Sequence, residues 1–326
     1  MATLSQRLDD LDTVLPPGAP VAYLDYPVHF NVGDLLIHLG MEQHLARKGH
    51  DVVARLSIFD LCRAHPQRAS SETLKPWVKD YIQALPENTI VALHGGGNFG
   101  DLYLHHQAVR EALVAICPER RIVILPQSIH FSDKGREAEA LGCLAGHRDL
   151  HLFVRDQRSL EVARAVVARS QLMPDSAHAL WGVLQRPGIA PNGATLDVTR
   201  VDEESIDSGA PLRGVAMDWR NLVGPTDALA LRVIRKSMTL DLDPSRRALN
   251  RAWNRQRDRI VARAVERFSM HAAIATDRLH GVILAALLGR PVLYRDNSYG
   301  KVSRYVEAWL ADSPQIRRDD VARPVS

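Results

Sequence analysis

Short β-branched runs, each breaking into a turn and then an amphipathic stretch, recur along this 326-residue chain, and that alternation narrows its fold most. Val21–Tyr26 reads as a strand, followed by the loop HFNVGD and a helix from Leu35 to Lys48 closed by Gly49. Asp51–Leu56 is the next strand. Thr89–Leu93 leads into HGGGNFGD and a helix that runs to Ile116 and stops before Pro118. Arg121–Leu125 and Leu150–Val154 are further strands, each followed by a helix. A βαβα order predicts a parallel sheet covered on both faces. Ligands in such sheets bind outside the carboxyl ends of the strands. The loops HFNVGD, HGGGNFGD, PQSIH and RDQRS should therefore gather on one edge. Residues 182–195, with two Pro and three Gly, read as a linker. The pattern then restarts, with strands expected at Leu196–Arg200, Arg213–Met217, Ala272–Ala275 and Pro291–Tyr294, and a last helix from Val302 to Leu310. The expectation is two Rossmann-like α/β domains, 1–185 and 186–326, facing each other across a cleft, with mostly parallel sheets and the last helix packing back on the first domain.

Composition excludes several classes. The 41 lysines and arginines against 38 aspartates and glutamates leave a net charge of +3, too weak a bias to imply nucleic acid. Cys62, Cys117 and Cys143 are odd in number and unclustered, which fits a reducing cytoplasm and not a disulfide framework. The first eighteen residues are polar and acidic, unlike a secretory signal. No apolar run approaches the roughly 18 residues of a membrane span.

The motif richest in chemistry is Thr276–Lys301, TDRLHGVILAALLGRPVLYRDNSYGK. It sets Arg278 and His280 on the first turn of an apolar helix, with Asp277 expected as its N-cap. The free N–H groups and dipole of such a turn attract anions. Lys301, with Asn297 and Ser298 ahead of it, stands in the loop after the next strand. Two cations and an imidazole could thus converge on a phosphorylated or carboxylated ligand. HGGGNFGD packs four glycines into eight residues, so an anion-binding nest of backbone N–H groups is expected there. It has neither the lysine of a Walker loop nor GxGxxG spacing. Gly-Asp recurs at Gly33–Asp34 and Gly100–Asp101. Together with Asn31, Gly96 and Asn98, these residues would present acceptors to hydroxyls, although Asp34 also suits a plain helix cap. Arg155, before Asp156, closes a strand on the same edge, and Arg200 with Asp202 holds a comparable place in the second half. Fourteen histidines show no HExxH and no zinc spacing, so no metal is expected. Arg247, Arg251, Arg255, Arg259, Arg263 and Arg267 recur every four residues, either a solvated helix face or a basic stripe against anionic lipid or a diphosphate.

Taken in order, NVGD, HGGGNFGDLY, ILPQSI, TDRLHG and DNSYGK resemble the polysaccharide pyruvyl transferase family, over about Tyr23 to Trp309. The resemblance implies a GT-B-like fold and transfer of the enolpyruvyl unit of phosphoenolpyruvate to a sugar, usually as a cyclic ketal bridging two hydroxyls. The family's Arg-Leu-His triplet falls on Arg278, Leu279 and His280. Phosphoenolpyruvate would be held by Arg278, Asn297, Ser298 and Lys301 as a co-substrate, with no resident cofactor, and His280 would move the proton. Asn31, Asp34, Gly96, Asn98, Asp101 and Arg155 would face the acceptor, a polyprenyl-diphosphate-linked saccharide of an exopolysaccharide repeat unit at the inner face of the plasma membrane. The arginine row would give the peripheral contact. A nucleotide-sugar glycosyltransferase and a non-catalytic glycan-binding protein are the competing readings.

Overall fold

The computed structural model describes residues 1–62, 68–70, 72–184, 189–199, 214–240, 246–296 and 300–319. After α1 (Ala2–Arg7), the first half runs β1 (Pro20–Tyr26), α2 (Val32–Arg47), β2 (Asp51–Ser57), α3 (Ile58–Leu61), α4 (Pro76–Gln83), β3 (Ile90–Leu93), β4 (Gly96–Gly100), α5 (Leu104–Ile116), β5 (Ile122–His130), α6 (Lys134–Ala145), β6 (Leu150–Val154), α7 (Gln157–Arg164) and β7 (Ser170–Leu172). Its strands lie in the order β2-β1-β3-β5-β6-β7, all parallel, with β4 attached to β5. The side chains alternate as the pleat demands: Val21 and Tyr23 enter one apolar core, Ala22 and Leu24 the other. Burial on both faces explains why β3 and the start of β5 read as unbroken apolar runs.

The second half carries β8 (Thr195–Val198), β9 (Val215–Met217), α8 (Pro225–Thr239), α9 (Arg246–Ser269), β10 (Ala273–Thr276), α10 (Leu279–Leu287), β11 (Val292–Tyr294), α11 (Lys301–Trp309) and β12 (Ile316–Arg318). Its parallel strands are ordered β12-β11-β10-β8-β9. Both sheets thus share one doubly wound scheme, in which the first strand lies between the second and the third. This is a Rossmann-like, GT-B-like arrangement.

One apolar core runs on from the first sheet into the second, from Leu4 and Tyr23 through Leu196 to Trp253 and Ile283. Polar ties lock the halves. The hydroxyl of Tyr26 donates to Asn250 Oδ1 at 2.6 Å, and Arg235 Nε donates to the Val28 carbonyl at 2.7 Å. Trp309 Nε1, at the end of α11, donates to the Arg155 carbonyl at 2.7 Å, so the last helix reaches back to the first half.

Two loop expectations are corrected. Gly96–Gly100 is not an anion-binding nest: it forms β4, paired with β5 through Gly96–Gln127, Phe99–Ile129 and Gly100–His130. PQSIH is not a loop either, because β5 continues through it to His130 after a register irregularity between Ile124 and Gln127.

Candidate active site

In each sheet the strand order reverses between two central strands, β1 and β3 in the first and β8 and β10 in the second. The loops there leave in opposite directions and open a crevice. Thr276 Oγ1 donates to the Val198 carbonyl at 2.8 Å and clamps the ends of β10 and β8 together. The two crevices meet at a cavity of about 340 Å³. The first half lines it with Asp25 and His94 from the ends of β1 and β3, Asn31 and Asp34 from the start of α2, Asn98 from β4 and His106 from α5. The second half supplies Trp219, Arg278, His280 and Lys301.

Arg278 is itself the N-cap of α10, and its backbone N–H donates to Thr276 Oγ1 at 3.1 Å. The expected cap, Asp277, does not hold that place. His280 is therefore on the first turn of α10, and Lys301 opens α11 behind Gly300. Arg278 is nearly buried, is paired with Asp218 and has its guanidinium carbon 5.9 Å from the Trp219 ring centre.

His280 is held by a residue with no signal in the sequence. Its Nε2 lies 3.2 Å from Asp175 Oδ2. Asp175 is fully buried, receives the Ala177 N–H on its other oxygen at 2.9 Å, and donates its own N–H to the Tyr305 hydroxyl at 3.0 Å. Arg155 Nη1 donates to the same Oδ2. Burial alone would raise the Asp175 carboxyl, but His280 and Arg155 beside it hold it well below the usual carboxylate range. Asp175 thus fixes Nε2 as the imidazole nitrogen that carries a proton, and Nδ1, beside Gly33, is the other ring nitrogen.

The remaining expectations divide. Asn31 and Asp34 exchange roles: Asn31 caps α2 by accepting from the Gly33 N–H at 3.0 Å, and Asp34 is left in the cavity with His29 at 3.5 Å. Asn98 lines the cavity with its Oδ1 held by Arg110 and Gln127. Gly95 and Gly97 line it, while Gly96 between them does not. Asp101 does not line it; one carboxylate oxygen gathers the Ser132 N–H and hydroxyl and the Asp133 N–H, which fixes the turn ahead of α6. Arg155 is fully buried behind the site as the partner of Asp175, bonded also to Ser128, and does not line the cavity. Asn297, Ser298, Arg200 and Asp202 lie outside the described residues.

Burial keeps the imidazoles of His29 and His94 below their ordinary range, and His94 is hydrogen-bonded to the Tyr23 hydroxyl at 2.6 Å. The arginine and the lysine that line the cavity are Arg278 and Lys301. Among the described residues, no group of three His, Cys, Asp or Glu side chains is placed to hold a metal. A second cavity of about 600 Å³ shares Asn31, Trp219 and Arg278 with the first and is walled by Phe30, Val223 and Pro225.

Residues 31–299 match the sequence model of the family described as polysaccharide pyruvyl transferase. The chain is 32% identical, over 97% of its length and 94% of the relative's, to the Bacillus subtilis (strain 168) protein named "Putative pyruvyl transferase EpsO". It is 26% identical to "Pyruvyl transferase 1" of Schizosaccharomyces pombe, over 89% of this chain and 69% of that one. The fold matches the crystal structure of the Klebsiella pneumoniae protein KP1_0663 with a TM-score of 0.57 at 18% identity, covering 98% and 99% of the two chains.

Proposed function

We propose that this chain, which belongs to the polysaccharide pyruvyl transferase family and is a pyruvyltransferase, takes pyruvate from phosphoenolpyruvate and closes it as a ketal on a sugar of an exopolysaccharide repeat unit. The observation that carries this reading is the convergence of Arg278, His280 and Lys301 on one cavity, with His280 oriented by a buried carboxylate. A donor with a carboxylate and a phosphate needs two fixed cations, and the Arg278 guanidinium and Lys301 ammonium supply them. His280 delivers a proton to the donor's methylene carbon and leaves an oxocarbenium-like centre at C2. A sugar hydroxyl attacks C2, phosphate leaves with the electron pair of its C–O bond, and a second hydroxyl closes the ring. Fixed charges around the cavity stabilise these steps without reorganisation.

The acceptor is a saccharide carried on a polyprenyl diphosphate. Its reacting sugar occupies the side lined by Asn31, Asp34 and Asn98, and the adjoining cavity walled by Phe30, Val223 and Pro225 takes the rest of the molecule. No helix among the described residues is long and apolar enough to cross a membrane.

Incubation of the protein with phosphoenolpyruvate and extracted lipid-linked glycan should release phosphate and add the mass of a pyruvate ketal to the glycan. Phosphoenolpyruvate should raise the melting temperature in the absence of acceptor. A shift with UDP-sugars and none with phosphoenolpyruvate would overturn this reading in favour of glycosyl transfer.

A further inference from the structure

The cavity that holds His280 is also lined by a hydrogen-bonded carboxylate–imidazole pair built from Asp25 and His106. The Nδ1 of His106 lies 2.8 Å from Asp25 Oδ1 and 3.1 Å from Oδ2, and both residues line the cavity. The pair is built at a local distortion. Asp25 has φ of 60°, and among the described residues it is the only non-glycine with positive φ. The β1–β2 register slips between Leu24 and Tyr26, so Asp25 is the extra residue of a bulge. Bulges re-aim a side chain beside an active site, and a non-glycine held at left-handed φ persists only where the surroundings enforce it. With Nδ1–H donated to the carboxylate, a neutral His106 keeps its lone pair on Nε2, the atom a base uses.

Ketal chemistry asks for that base. Each turnover removes two hydroxyl protons; one replaces the proton His280 gave to C3 and the other leaves with phosphate. Attack on C2 forms the new C–O bond as the hydroxyl gives up its proton. His280 has given its proton to C3 by then, but it serves the donor's methylene carbon, whereas His106 comes from the first half of the chain with Asn31, Asp34 and Asn98, on the side assigned to the acceptor hydroxyl. Of the other cavity histidines, His94 is bonded to the Tyr23 hydroxyl, His29 stands 3.5 Å from Asp34, beyond a good hydrogen bond, and His105 packs its ring centre 4.4 Å from that of His106.

We infer that His106, oriented by Asp25, is the general base that takes the proton from the attacking acceptor hydroxyl, while His280 serves the donor; this rests on the pyruvyl-transfer reading above. His106 is thereby a catalytic residue and Asp25 a positioning residue. His106→Gln should lower kcat about 10²–10⁴-fold, with phosphoenolpyruvate binding by calorimetry unchanged. Asp25→Asn should also lower kcat, and its loss should not add to that of His106→Gln in the double variant. His106→Ala should recover turnover with added imidazoles, faster with the more basic ones. Wild-type kcat in His106→Gln, or rescue that weakens as the added imidazole becomes more basic, overturns the base assignment alone. A wild-type protein that neither binds phosphoenolpyruvate nor releases phosphate with acceptor overturns the underlying reading, and the base assignment with it.

Discussion

A Cβ placed on Gly33 would stand 2.5 Å from Nδ1 of His280 and 2.8 Å from its Cγ, so the imidazole rests on the bare backbone of the NVGD turn. The same device recurs at Gly97, whose Cβ would meet Lys301 Nζ at 2.3 Å. Glycines of the first half thus make room for cavity-lining side chains of the second. Gly33→Ala must push the whole ring, since Cβ of His280 is touched as well, at 3.0 Å. A shift near 1 Å at a reacting group costs about 10²-fold in rate. Gly33→Ala should therefore lose turnover with little change in thermal stability, whereas Gly97→Ala meets only the tip of a lysine and should lose less. Equal activity in Gly33→Ala and wild type would show that His280 need not occupy its observed place.

Asp175 joins two functions that mutation can separate. Asp175→Asn leaves the Arg155 guanidinium buried without its charge partner, a situation that costs about 3–5 kcal/mol. It also releases His280, with an expected kcat loss of about 10²–10⁴-fold. Pairing it with Arg155→Met should restore most of the melting temperature and little of the activity. Recovery of both together would make Asp175 a purely structural residue.

Arg278→Lys keeps the charge and gives up the planar fork that binds a carboxylate or phosphate at two points. Loss of such a contact where the partner stays buried costs about 2–5 kcal/mol. The affinity for phosphoenolpyruvate should fall accordingly, while circular dichroism stays that of the wild type. Affinity retained in the lysine variant would remove Arg278 from the donor clamp.

Arg278 and His280 were legible because a strand, a polar pair and an apolar helix follow each other within a few residues. GGNFG was misread for an equally local reason. Glycine clusters normally mark turns, yet here the residues pair as β4, and the missing side chains answer to crowding: a Cβ on Gly100 would lie 1.7 Å from the His130 carbonyl oxygen. Asp34 and Asn31 are both good caps by chemistry, and only the path of the chain decides that Asn31 accepts the Gly33 N–H. Asp175 was invisible because its partner His280 is 105 residues away, and no periodicity links them. Arg155 was placed on the right edge, but the ion pair that draws it inside is with Asp175, which carries no signal in the sequence.

Acid should destabilise the fold well before its carboxylates titrate. Burial pushes the imidazoles of His38, His44 and His178 down from 6.5 to about 4. His38 is stacked on Tyr26 with ring centres 4.9 Å apart and stands 3.4 Å from Arg257, so a proton there would meet a second cation. Between these values the unfolded chain binds protons that the folded chain refuses. Stability is then complete above about 6.5 and is lost as pH falls toward 4, with each histidine adding a slope of up to about 1.4 kcal/mol per pH unit. Guanidinium midpoints measured at pH 7, 5.5 and 4.5 should decline in that order, and His38→Phe should flatten the decline. A midpoint constant from pH 7 to 5 would contradict the assignment of these rings as neutral.

The arginine row on α9 bears on how the proposed lipid-borne acceptor would be met. Arg247, Arg251, Arg255, Arg259 and Arg267 are exposed, whereas Arg263 is turned to Asp227 and the Leu222 carbonyl. Along the 24-residue α9, the longest helix described, a four-residue repeat drifts about 40° per step round the axis, so Arg251, Arg255 and Arg259 share one side while Arg247 and Arg267 diverge from each other. Each basic side chain held at an anionic leaflet contributes about 1 kcal/mol, and salt weakens the attraction. Replacing Arg251, Arg255 and Arg259 with Gln removes three such contributions and leaves the Arg263–Asp227 pair intact. Sedimentation with anionic liposomes should drop about 10²-fold in affinity, and turnover on a short water-soluble acceptor should stay at the wild-type level. Activity on acceptor embedded in the same liposomes should fall with the sedimentation. Equal liposome binding by the triple variant and wild type, or an equal loss of activity on both acceptors, would make the stripe an ordinary solvated helix face.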